Sequence, residues 1–215
     1  MMMFNNRTVA AELLLEKLKK FKDKNVIVAG IPRGAIPMAK IIADGLNAEL
    51  TAVLVHKITA PDNQEFAMGC VGLSGHIHFL SHAGRYGISK SFLQDSANEE
   101  LKVLKSRKDR YGISEQNFKG KTVIIVDDGI ATGATTMCAV HEIRSQSPKE
   151  IILATPVSSS EAAQELTSLV DEFISLYIPP VMFSIGEFYQ HFAQVSDAEV
   201  ISILHRPEKI SENHP

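Results

Sequence analysis

The sequence predicts an α/β fold built on a doubly wound, mainly parallel sheet. Short apolar runs alternate with segments whose apolar residues recur at helical spacing, which is typical of parallel strands joined by crossover helices. The run at residues 122–126 is continuously apolar or β-branched, as expected of a strand buried on both faces of such a sheet. Sheets of this class bind ligands at the carboxyl ends of their strands, so we look for functional residues there.

The first half of the chain supplies the first alternations. Residues 7–21 carry apolar side chains at helical spacing opposite glutamates and lysines, which predicts an amphipathic helix. An apolar run at 25–29 ends in a glycine-containing turn, and helical spacing resumes at Met38, which predicts a strand and then a helix. Alternating side chains predict one further strand at 50–58, and residues 68–79 predict a strand pair.

The second half continues the same pattern. Residues 89–110 predict a charged helix, and the strand at 122–126 follows a Lys-Gly-Lys turn. The remaining predicted elements are a helix near 135–144, a strand at 150–155, a helix begun by the capping-box pair Ser158 and Glu161, a strand at 173–177, and a closing helix from the pair Ser196 and Glu199 to about Leu204.

Composition restricts the function classes. The 215 residues are 45% hydrophobic and 22% charged, as in globular proteins, and a formal charge of −3 gives no general field for a polyanion such as nucleic acid. No apolar run approaches the ~18 residues of a membrane span, and the first residues do not resemble a signal peptide. Two cysteines without a Cys-x-x-Cys pair support neither a disulfide framework nor a cysteine zinc site. We therefore expect a cytoplasmic protein without a membrane or nucleic-acid partner.

The most informative segment is residues 123–135, VIIVDDGIATGAT. Four apolar strand residues precede Asp127 and Asp128, and a loop of small and hydroxyl-bearing residues follows where a helix begins. Backbone N–H groups at a helix start, with threonine hydroxyls, favour a phosphate monoester, and paired carboxylates complement a vicinal diol. The combination indicates a ribose 5-phosphate. The segment lacks the lysine of a Walker A loop and the glycines of a dinucleotide site, and the alternative is an ordinary crossover turn.

These thirteen residues resemble the phosphoribosyl diphosphate (PRPP) motif of the type I phosphoribosyltransferases. The resemblance implies that fold with a small hood and lid, ribose contacts from Asp127 and Asp128, and a loop that binds the 5-phosphate. That loop consists of Ala131, Thr132, Gly133, Ala134 and Thr135. The chain further resembles a bacterial subgroup of predicted phosphoribosyltransferases through the segments 30–35, 56–58, 65–67 and 188–197.

A second loop, at residues 30–34, follows the first strand. Its two glycines permit close approach of backbone to an anion, and Arg33 adds a fork of donors. By the resemblance, Arg33 and Gly34 receive the pyrophosphate of PRPP, and Lys57 at the end of the next strand adds a second positive charge. The alternative is a turn with a surface arginine. The resemblance also implies Mg²⁺, held by substrate oxygens and water with indirect help from Asp127 and Asp128.

The acceptor is suggested by the resemblance alone. The 6-oxopurine enzymes carry an acid just before the Thr-Gly of the loop, whereas Ala131 stands there in this chain, as in adenine phosphoribosyltransferases. Those enzymes also carry a glutamate and an aromatic residue in the lid, and Glu65 and Phe66 lie at a similar distance beyond Lys57. Glu65 is therefore a candidate general base or base-orienting residue in a lid that begins after Ala60. The alternative is a solvated loop glutamate.

Three further patterns permit two interpretations each. His76, His78 and His82 are interpreted as half-exposed strand residues, with a metal site as the alternative. The aromatic residues of the C-terminal region are interpreted as core packing, with a stacking hood over a base as the alternative; they are Phe183, Phe188, Tyr189 and Phe192. The basic run of Arg107, Lys108 and Arg110 is interpreted as a solvated helix face, with a loop that reaches a neighbour's pyrophosphate as the alternative.

The function indicated by these observations is a phosphoribosyltransferase that uses Mg²⁺ and PRPP, transfers the phosphoribosyl group to a nitrogen acceptor such as a nucleobase, and releases pyrophosphate. The alternatives are a non-catalytic regulator that senses PRPP or a nucleotide, and hydrolysis or phosphorolysis of a ribosyl phosphate. We expect a single domain over 1–215, with a lid or insert at about 59–118 and a C-terminal hood at about 178–210, and a homodimer.

Overall fold

The computed structural model describes residues 3–60, 63–79 and 89–205, with the backbone alone at 63–67 and 90. The strands are β1 (Val26–Gly30), β2 (Glu49–Ala52), β3 (Val55–Ala60), β4 (Asn63–Gly72), β5 (Ile77–Phe79), β6 (Thr122–Val126), β7 (Glu150–Val157) and β8 (Glu172–Tyr177). The helices are α1 (Arg7–Leu18), α2 (Ile36–Leu46), α3 (Lys90–Tyr111), α4 (Ala134–Ser145), α5 (Ser160–Thr167) and α6 (Asp197–Leu204).

Five strands form a parallel sheet in the order β2-β1-β6-β7-β8. Helices α1 and α2 share one hydrophobic cluster with this sheet, and α4 and α5 share another, which confirms the predicted doubly wound fold. In register, Gly30 of β1 pairs with Val126 of β6, and Val126 pairs with Ala154 of β7. The loops that follow β1 and β6 therefore leave the sheet side by side.

Strand β6 is buried on both faces. Ile124 and Val126 pack into the cluster on the α1 and α2 side, whereas Val123 and Ile125 pack into the cluster on the α4 and α5 side. Successive side chains of a strand point to opposite faces, so a strand covered by helices on both sides needs apolar residues throughout. This is why residues 122–126 show no alternation in the sequence.

The predicted single strand at 50–58 is wrong in one respect, because it is two strands in two sheets. Strand β2 ends at Ala52, and Val53 N then donates to the carbonyl oxygen of Gly30 at 3.0 Å. From Val55 the chain pairs antiparallel with β4, in a second sheet of order β3-β4-β5. Since Val53 and Leu54 are buried, the apolar pattern runs through the break and does not reveal the change of partner. The strand pair predicted at 68–79 is confirmed as β4 and β5.

The helix starts are partly as predicted. Ser196 caps α6 by accepting from Glu199 N at 3.2 Å, as its spacing indicates. Helix α5 starts one residue later than predicted: Ser159, not Ser158, accepts from Ala162 N at 3.1 Å. Ser158 is buried and forms a bridge with Ile130, the residue that precedes the α4 loop.

The two ends of the described chain pair with each other. Phe4 forms a parallel bridge with Tyr189, and Phe4 N donates to the carbonyl oxygen of Phe188 at 2.8 Å. Phe4, Phe188 and Tyr189 are all buried in the cluster that contains α1 and α2. We call residues 4–7 and 188–197 the terminal segments. Within the described ranges, the helices are too short or too polar to cross a membrane.

Substitutions of Leu13 and Leu14, which are adjacent on α1, test how this helix packs against the sheet. Leu14 is fully buried and Leu13 is 40% exposed. We expect Leu14→Ala to lower the free energy of unfolding by about 2–5 kcal/mol, because it removes buried apolar contacts and leaves a cavity, and Leu13→Ala to lower it by less than about 1 kcal/mol. Denaturant unfolding of the two variants measures both values. Equal losses would contradict the described packing of α1.

Candidate functional site

The loops that follow β1 and β6 lie against each other at the carboxyl edge of the sheet. Ile31 N donates to the carbonyl oxygen of Val126 at 3.0 Å, immediately beyond the last pair of the two strands. A Cβ added to Gly34 would overlap the carboxylate of Asp128. Glycine permits this close approach, because any side chain at position 34 would displace the carboxylate or the loop. The structure thus brings together the two loops that the sequence singled out.

Asp127 is bound to the first turn of α4. Thr136 Oγ1 donates to Asp127 Oδ2 at 2.7 Å, and Thr136 itself is buried. Burial and the adjacent charge of Asp128 raise the pKa of Asp127 to about 7, and the hydrogen bond from Thr136 only partly opposes them. The Asp127 carboxyl therefore titrates near neutral pH.

Asp128 is paired with an arginine from the other end of the chain. Arg7 Nε donates to Asp128 Oδ2 at 2.8 Å, and Arg7 Nη2 lies 2.7 Å from the same oxygen. Burial raises the pKa of Asp128 above its ordinary value, and the charge of Arg7 and its hydrogen bond only partly oppose this rise. The hydroxyl of Tyr189 donates to the main-chain oxygen of Asp128 at 2.7 Å. Both terminal segments are therefore bonded to the residue at the tip of β6.

Sequence reasoning missed Arg7, although one signal was present. Arg7 is the first residue of α1, directly after Asn6, whose side chain accepts from Val9 N at 3.0 Å. Cations are disfavoured in the first turn of a helix, where the helix dipole is positive. An arginine there indicates a specific anionic partner, but the sequence does not show which of the chain's carboxylates it is.

The loop before α4 has the features of an anion site. Gly133 precedes the helix with φ of 75° and no side chain caps the first turn, so the leading N–H groups lack a side-chain acceptor. Ala131, Thr132 and Thr135 are exposed at this end. Ser159 braces the loop from behind, since its Oγ donates to the carbonyl oxygen of Ala131 at 2.7 Å.

Arg33 lies on the exposed side of the first loop and contacts the C-terminal region. Arg33 Nη1 is 3.6 Å from Asp197 Oδ1, and Arg110 Nη1 is 3.4 Å from Asp197 Oδ2. Tyr111 donates its hydroxyl proton to Asp197 at 2.6 Å, and this bond is the main cause that lowers the pKa of Asp197. The sequence analysis gave Asp197 no role. Arg110, which it interpreted as part of a solvated helix face, is 56% exposed and also pairs with Asp197.

Lys57 and Glu65 lie in the second sheet. Lys57, on β3, is half-buried and pairs in register with Cys70 of β4. Glu65 lies within β4, and its side chain is outside the described part of the chain, as are residues 61–62 where the predicted lid begins. The described contacts therefore join the loops of β1 and β6 to Arg7, but they do not join Lys57 or Glu65 to that group.

The family follows from comparison with known proteins. The model of the phosphoribosyl transferase domain matches residues 4–177. The chain belongs to this family. It is 31% identical over 213 residues to a Mycobacterium tuberculosis protein named "Putative phosphoribosyl transferase", a match that covers 97% of this chain and 48% of that protein. The chain thus spans about half the length of that curated relative.

One solved structure and a second curated relative are also similar to this chain. The crystal structure of TT1426 from Thermus thermophilus is 36% identical with a TM-score of 0.85, and the match covers 94% of this chain and 98% of that one. An orotate phosphoribosyltransferase of Bradyrhizobium diazoefficiens is 28% identical over 126 residues, which cover 57% of this chain and 66% of that protein. The family matches the one that the motif resembles.

Two of the three histidines for which the sequence left a metal site open, His76 and His78, lie in the described part of the chain. His76 is exposed, whereas His78 is half-buried and stacks on His141 with ring centroids 3.4 Å apart. Burial lowers the pKa of both stacked rings, to about 4 for His141. Among the described residues no three His, Cys, Asp or Glu side chains are grouped to hold a metal ion. His82 lies outside the described residues.

The aromatic residues of the C-terminal segment differ in environment. Phe188 and Tyr189 are buried, which confirms core packing for these two. Phe192 is half-buried; its ring stacks on Tyr189 at 4.7 Å, and the Arg7 guanidinium lies 3.9 Å from its centroid. Phe183 is 87% exposed, so core packing is wrong for this residue, which follows the Pro179-Pro180 break.

The raised pKa of Asp127 makes stability depend on pH. In the folded protein this carboxyl keeps its proton up to about pH 7, whereas in the unfolded chain it ionises near its ordinary pKa of 3.8. The stability that the protonated Asp127 carboxyl gives the folded protein is therefore fully present below pH 3.8, and it is lost as the pH rises to about 7. We expect Asp127→Asn to be increasingly stabilising relative to wild type across this window, because the neutral amide oxygen still accepts from Thr136.

Urea unfolding of the two proteins at several pH values measures this difference. Asp171→Asn is the control, because the pKa of Asp171 is lowered rather than raised, mainly by the hydrogen bond from Ile151 N. A stability difference between Asp127→Asn and wild type that does not change with pH would contradict a raised pKa at Asp127.

Proposed function

We propose that the protein is a Mg²⁺-dependent phosphoribosyltransferase that transfers the 5-phosphoribosyl group of PRPP to a nitrogen acceptor, a nucleobase, and releases pyrophosphate. The observation that carries the proposal is the packing of Gly34 against the Asp128 carboxylate. It sets the first loop, the paired carboxylates and the uncapped start of α4 side by side at the tips of adjacent strands.

The α4 loop is the candidate site for the 5-phosphate. The backbone N–H groups of the first turn and the exposed hydroxyls of Thr132 and Thr135 are donors, and the helix dipole favours negative charge there. Asp127 and Asp128 accept hydrogen bonds from the ribose hydroxyls. The distance along the chain from these aspartates to the loop is short, as a ribose 5-phosphate requires, because its phosphate and its diol belong to one sugar.

The first loop is the candidate site for pyrophosphate. Arg33 and the backbone beside Gly34 stabilise the charge that develops on the leaving group, and Lys57 reaches the same anion from β3. Because Arg33 also contacts Asp197 in this structure, pyrophosphate exchanges one anionic partner of Arg33 for another. A positive charge already positioned near the leaving group lowers the activation barrier by electrostatic stabilisation, without a covalent intermediate.

The carboxylate pair fits an indirect role toward Mg²⁺. Mg²⁺ takes about six oxygen ligands and retains several waters, so two carboxylates are too few to hold it without help from substrate oxygens. Asp127 and Asp128 would contact it through water, and the bound ion would neutralise charge on the pyrophosphate. The residues of this chain bind and orient the ribose, and Arg33 and Lys57 receive the leaving group.

The reaction exchanges one bond at C1 of the ribose. The bond from C1 to the pyrophosphate oxygen breaks with its electron pair on pyrophosphate, and the acceptor nitrogen supplies the pair for the new bond. The acceptor nitrogen loses its proton to a general base of the protein, for which Glu65 is the candidate. Exclusion of water from the reactive C1 centre would prevent hydrolysis of PRPP.

Two comparisons support a nucleobase acceptor. The relative from Bradyrhizobium diazoefficiens is named an orotate phosphoribosyltransferase, and orotate is a pyrimidine base. In this chain Ala131 occupies the position at which the resemblance places an acid in 6-oxopurine enzymes. We therefore propose that the acceptor is adenine, or another base whose transfer does not need an acid at this position.

PRPP consumption and pyrophosphate release against a panel of bases test the function. We expect turnover with Mg²⁺, and calorimetric binding of PRPP that is lost in chelator, because few basic residues are available to neutralise the pyrophosphate. The variant with Asp127→Asn and Asp128→Asn should fold and bind PRPP more weakly by orders of magnitude, since it alters two acceptors and a hydrogen bond to a charged acceptor is worth about 1.5–3 kcal/mol. Glu99→Gln, far along α3, is the matched control.

The outcomes separate the alternatives. Binding of Mg-PRPP without turnover on any base favours a regulator that senses PRPP, and PRPP consumption without a base favours hydrolysis. Unchanged PRPP affinity in the double aspartate variant, with normal circular dichroism, would show that the carboxylates do not bind ribose. Equal PRPP affinity in chelator and in Mg²⁺ would reject the metal dependence.

Glu65→Gln tests the proposed general base. We expect turnover to fall by about 10²–10⁴-fold with little change in PRPP affinity, because the amide cannot accept the proton of the base but has the same size. Steady-state rates and calorimetry measure the two effects. An unchanged rate, or an active enzyme that accepts guanine but not adenine, would reject both the role of Glu65 and the adenine-like specificity.

A further inference from the structure

Arg7 makes contacts on three sides of its guanidinium. Nε and Nη2 are bound to the same oxygen of Asp128, Oδ2, at 2.8 and 2.7 Å. Nη1 donates to the carbonyl oxygen of Ala193 at 2.6 Å, and the face of the group lies 3.9 Å from the centroid of Phe192. The Arg7 and Asp128 side chains are only 13% and 15% exposed. The guanidinium is therefore fixed in both position and orientation.

This arrangement gives the two carboxylate oxygens of Asp128 different surroundings. Oδ2 receives both contacts from Arg7 and is the oxygen that a carbon added to Gly34 would overlap, so its surroundings are already occupied by protein. Oδ1 is left as the oxygen that can accept from a ribose hydroxyl. A carboxylate that is free to rotate would present either oxygen, at a cost in orientation when substrate binds.

The charge of Arg7 also acts differently on the two carboxyl groups of the pair. Asp127 is the only other charged side chain that adjoins Asp128 among the described contacts; Gly34 and the Tyr189 hydroxyl, which bonds the main chain, carry no charge at neutral pH. Arg7 favours ionised Asp128, whereas burial and the charge of Asp128 favour protonated Asp127. The charge of Arg7 therefore opposes the rise that burial causes in the pKa of Asp128, whereas the charge of Asp128 adds to the rise at Asp127.

We infer that Arg7 is a positioning residue of the ribose site, which fixes the Asp128 carboxylate through two contacts to Oδ2 and leaves Oδ1 to accept from a ribose hydroxyl. This inference rests on the proposed function. Arg7 acts through Asp128 and does not itself contact the substrate. Lysine is a poor replacement for Arg7. One ammonium group cannot bind both Asp128 and the Ala193 carbonyl, and it has no planar face to lie over the Phe192 ring.

The variant Arg7→Met tests the inference by PRPP affinity as a function of pH. Without the cation the pKa of Asp128 rises, so more of it is protonated at low pH and cannot accept from ribose as a carboxylate. We expect Mg-PRPP affinity to fall by about tenfold or more at the acidic end of the pH range in which the protein is folded, and to recover partly as the pH rises. The phosphate groups of PRPP titrate equally in both proteins, so the comparison with wild type cancels their effect.

A double-mutant cycle shows whether Arg7 acts through Asp128. In the Asp128→Asn background, Arg7→Met should change PRPP affinity by less than about threefold, because the carboxylate on which it acts is absent. In steady-state kinetics, Arg7→Met should raise KM for PRPP more than it lowers kcat. Arg7→Lys should restore part of the affinity at low pH, since it returns a positive charge.

Two controls separate positioning from stability. Arg144 also bonds a carboxylate and a carbonyl, those of Asp171 and Leu169, but away from the site, so Arg144→Met should leave PRPP affinity and its pH dependence unchanged. Phe192→Leu removes the ring beneath Arg7 but keeps the ion pair, and it should lower stability with less effect on the pH profile. These variants remain informative if Arg7→Met itself unfolds.

The outcomes distinguish this inference from the proposed function. If wild type does not bind Mg-PRPP, the proposed function fails, and the inference fails with it. If wild type binds and Arg7→Met, or Arg7→Lys when the former does not fold, shows the same affinity and pH profile, the inference alone is overturned. Full additivity of Arg7→Met and Asp128→Asn would also overturn it, because the two residues would then act separately.

Discussion

Two adjacent carboxylates at the tip of a buried strand repel each other and resist burial. Strand β6 forces this arrangement, because it is held between β1 and β7 with apolar residues packed on both faces, so Asp127 and Asp128 emerge at a fixed place. Their charge is accommodated from outside the strand, by Thr136 on one side and Arg7 on the other. Isolated buried charges are unfavourable, and the surrounding chain is arranged around these two contacts.

The terminal segments are one consequence of this arrangement. Arg7 begins α1, and its guanidinium reaches Asp128 only because Phe4 is paired with Tyr189 and because Phe192 lies beneath it. Tyr189 adds a bond to the Asp128 main chain. Removing the N-terminal segment would therefore leave a buried carboxylate without its cation as well as expose apolar surface. The family match that begins at residue 4 includes this segment.

The parts of the fold and site that follow from local sequence could be predicted. The apolar run of β6, the aspartate pair and the glycine of the α4 loop are contiguous, so their relation is visible in the sequence. Arg7 and Asp128 are 121 positions apart, and the sequence does not indicate which carboxylate an arginine binds. The break between β2 and β3 was hidden for a related reason, because Val53 and Leu54 are buried and continue the apolar pattern across a change of partner strand.

The two arginines of the site differ in how firmly they are bound. Arg7 and Asp128 are 13% and 15% exposed and share two short contacts, so water and salt screen them little and the pair persists. Arg33 and Asp197 are 39% and 36% exposed and are joined at 3.6 Å, so solvent competes for both groups. An anion that arrives at the first loop can displace Asp197 from Arg33 far more easily than it can displace Asp128 from Arg7. This difference fits the proposed function, in which the carboxylate that accepts from ribose is fixed before PRPP binds, whereas Arg33 exchanges Asp197 for pyrophosphate in each turnover.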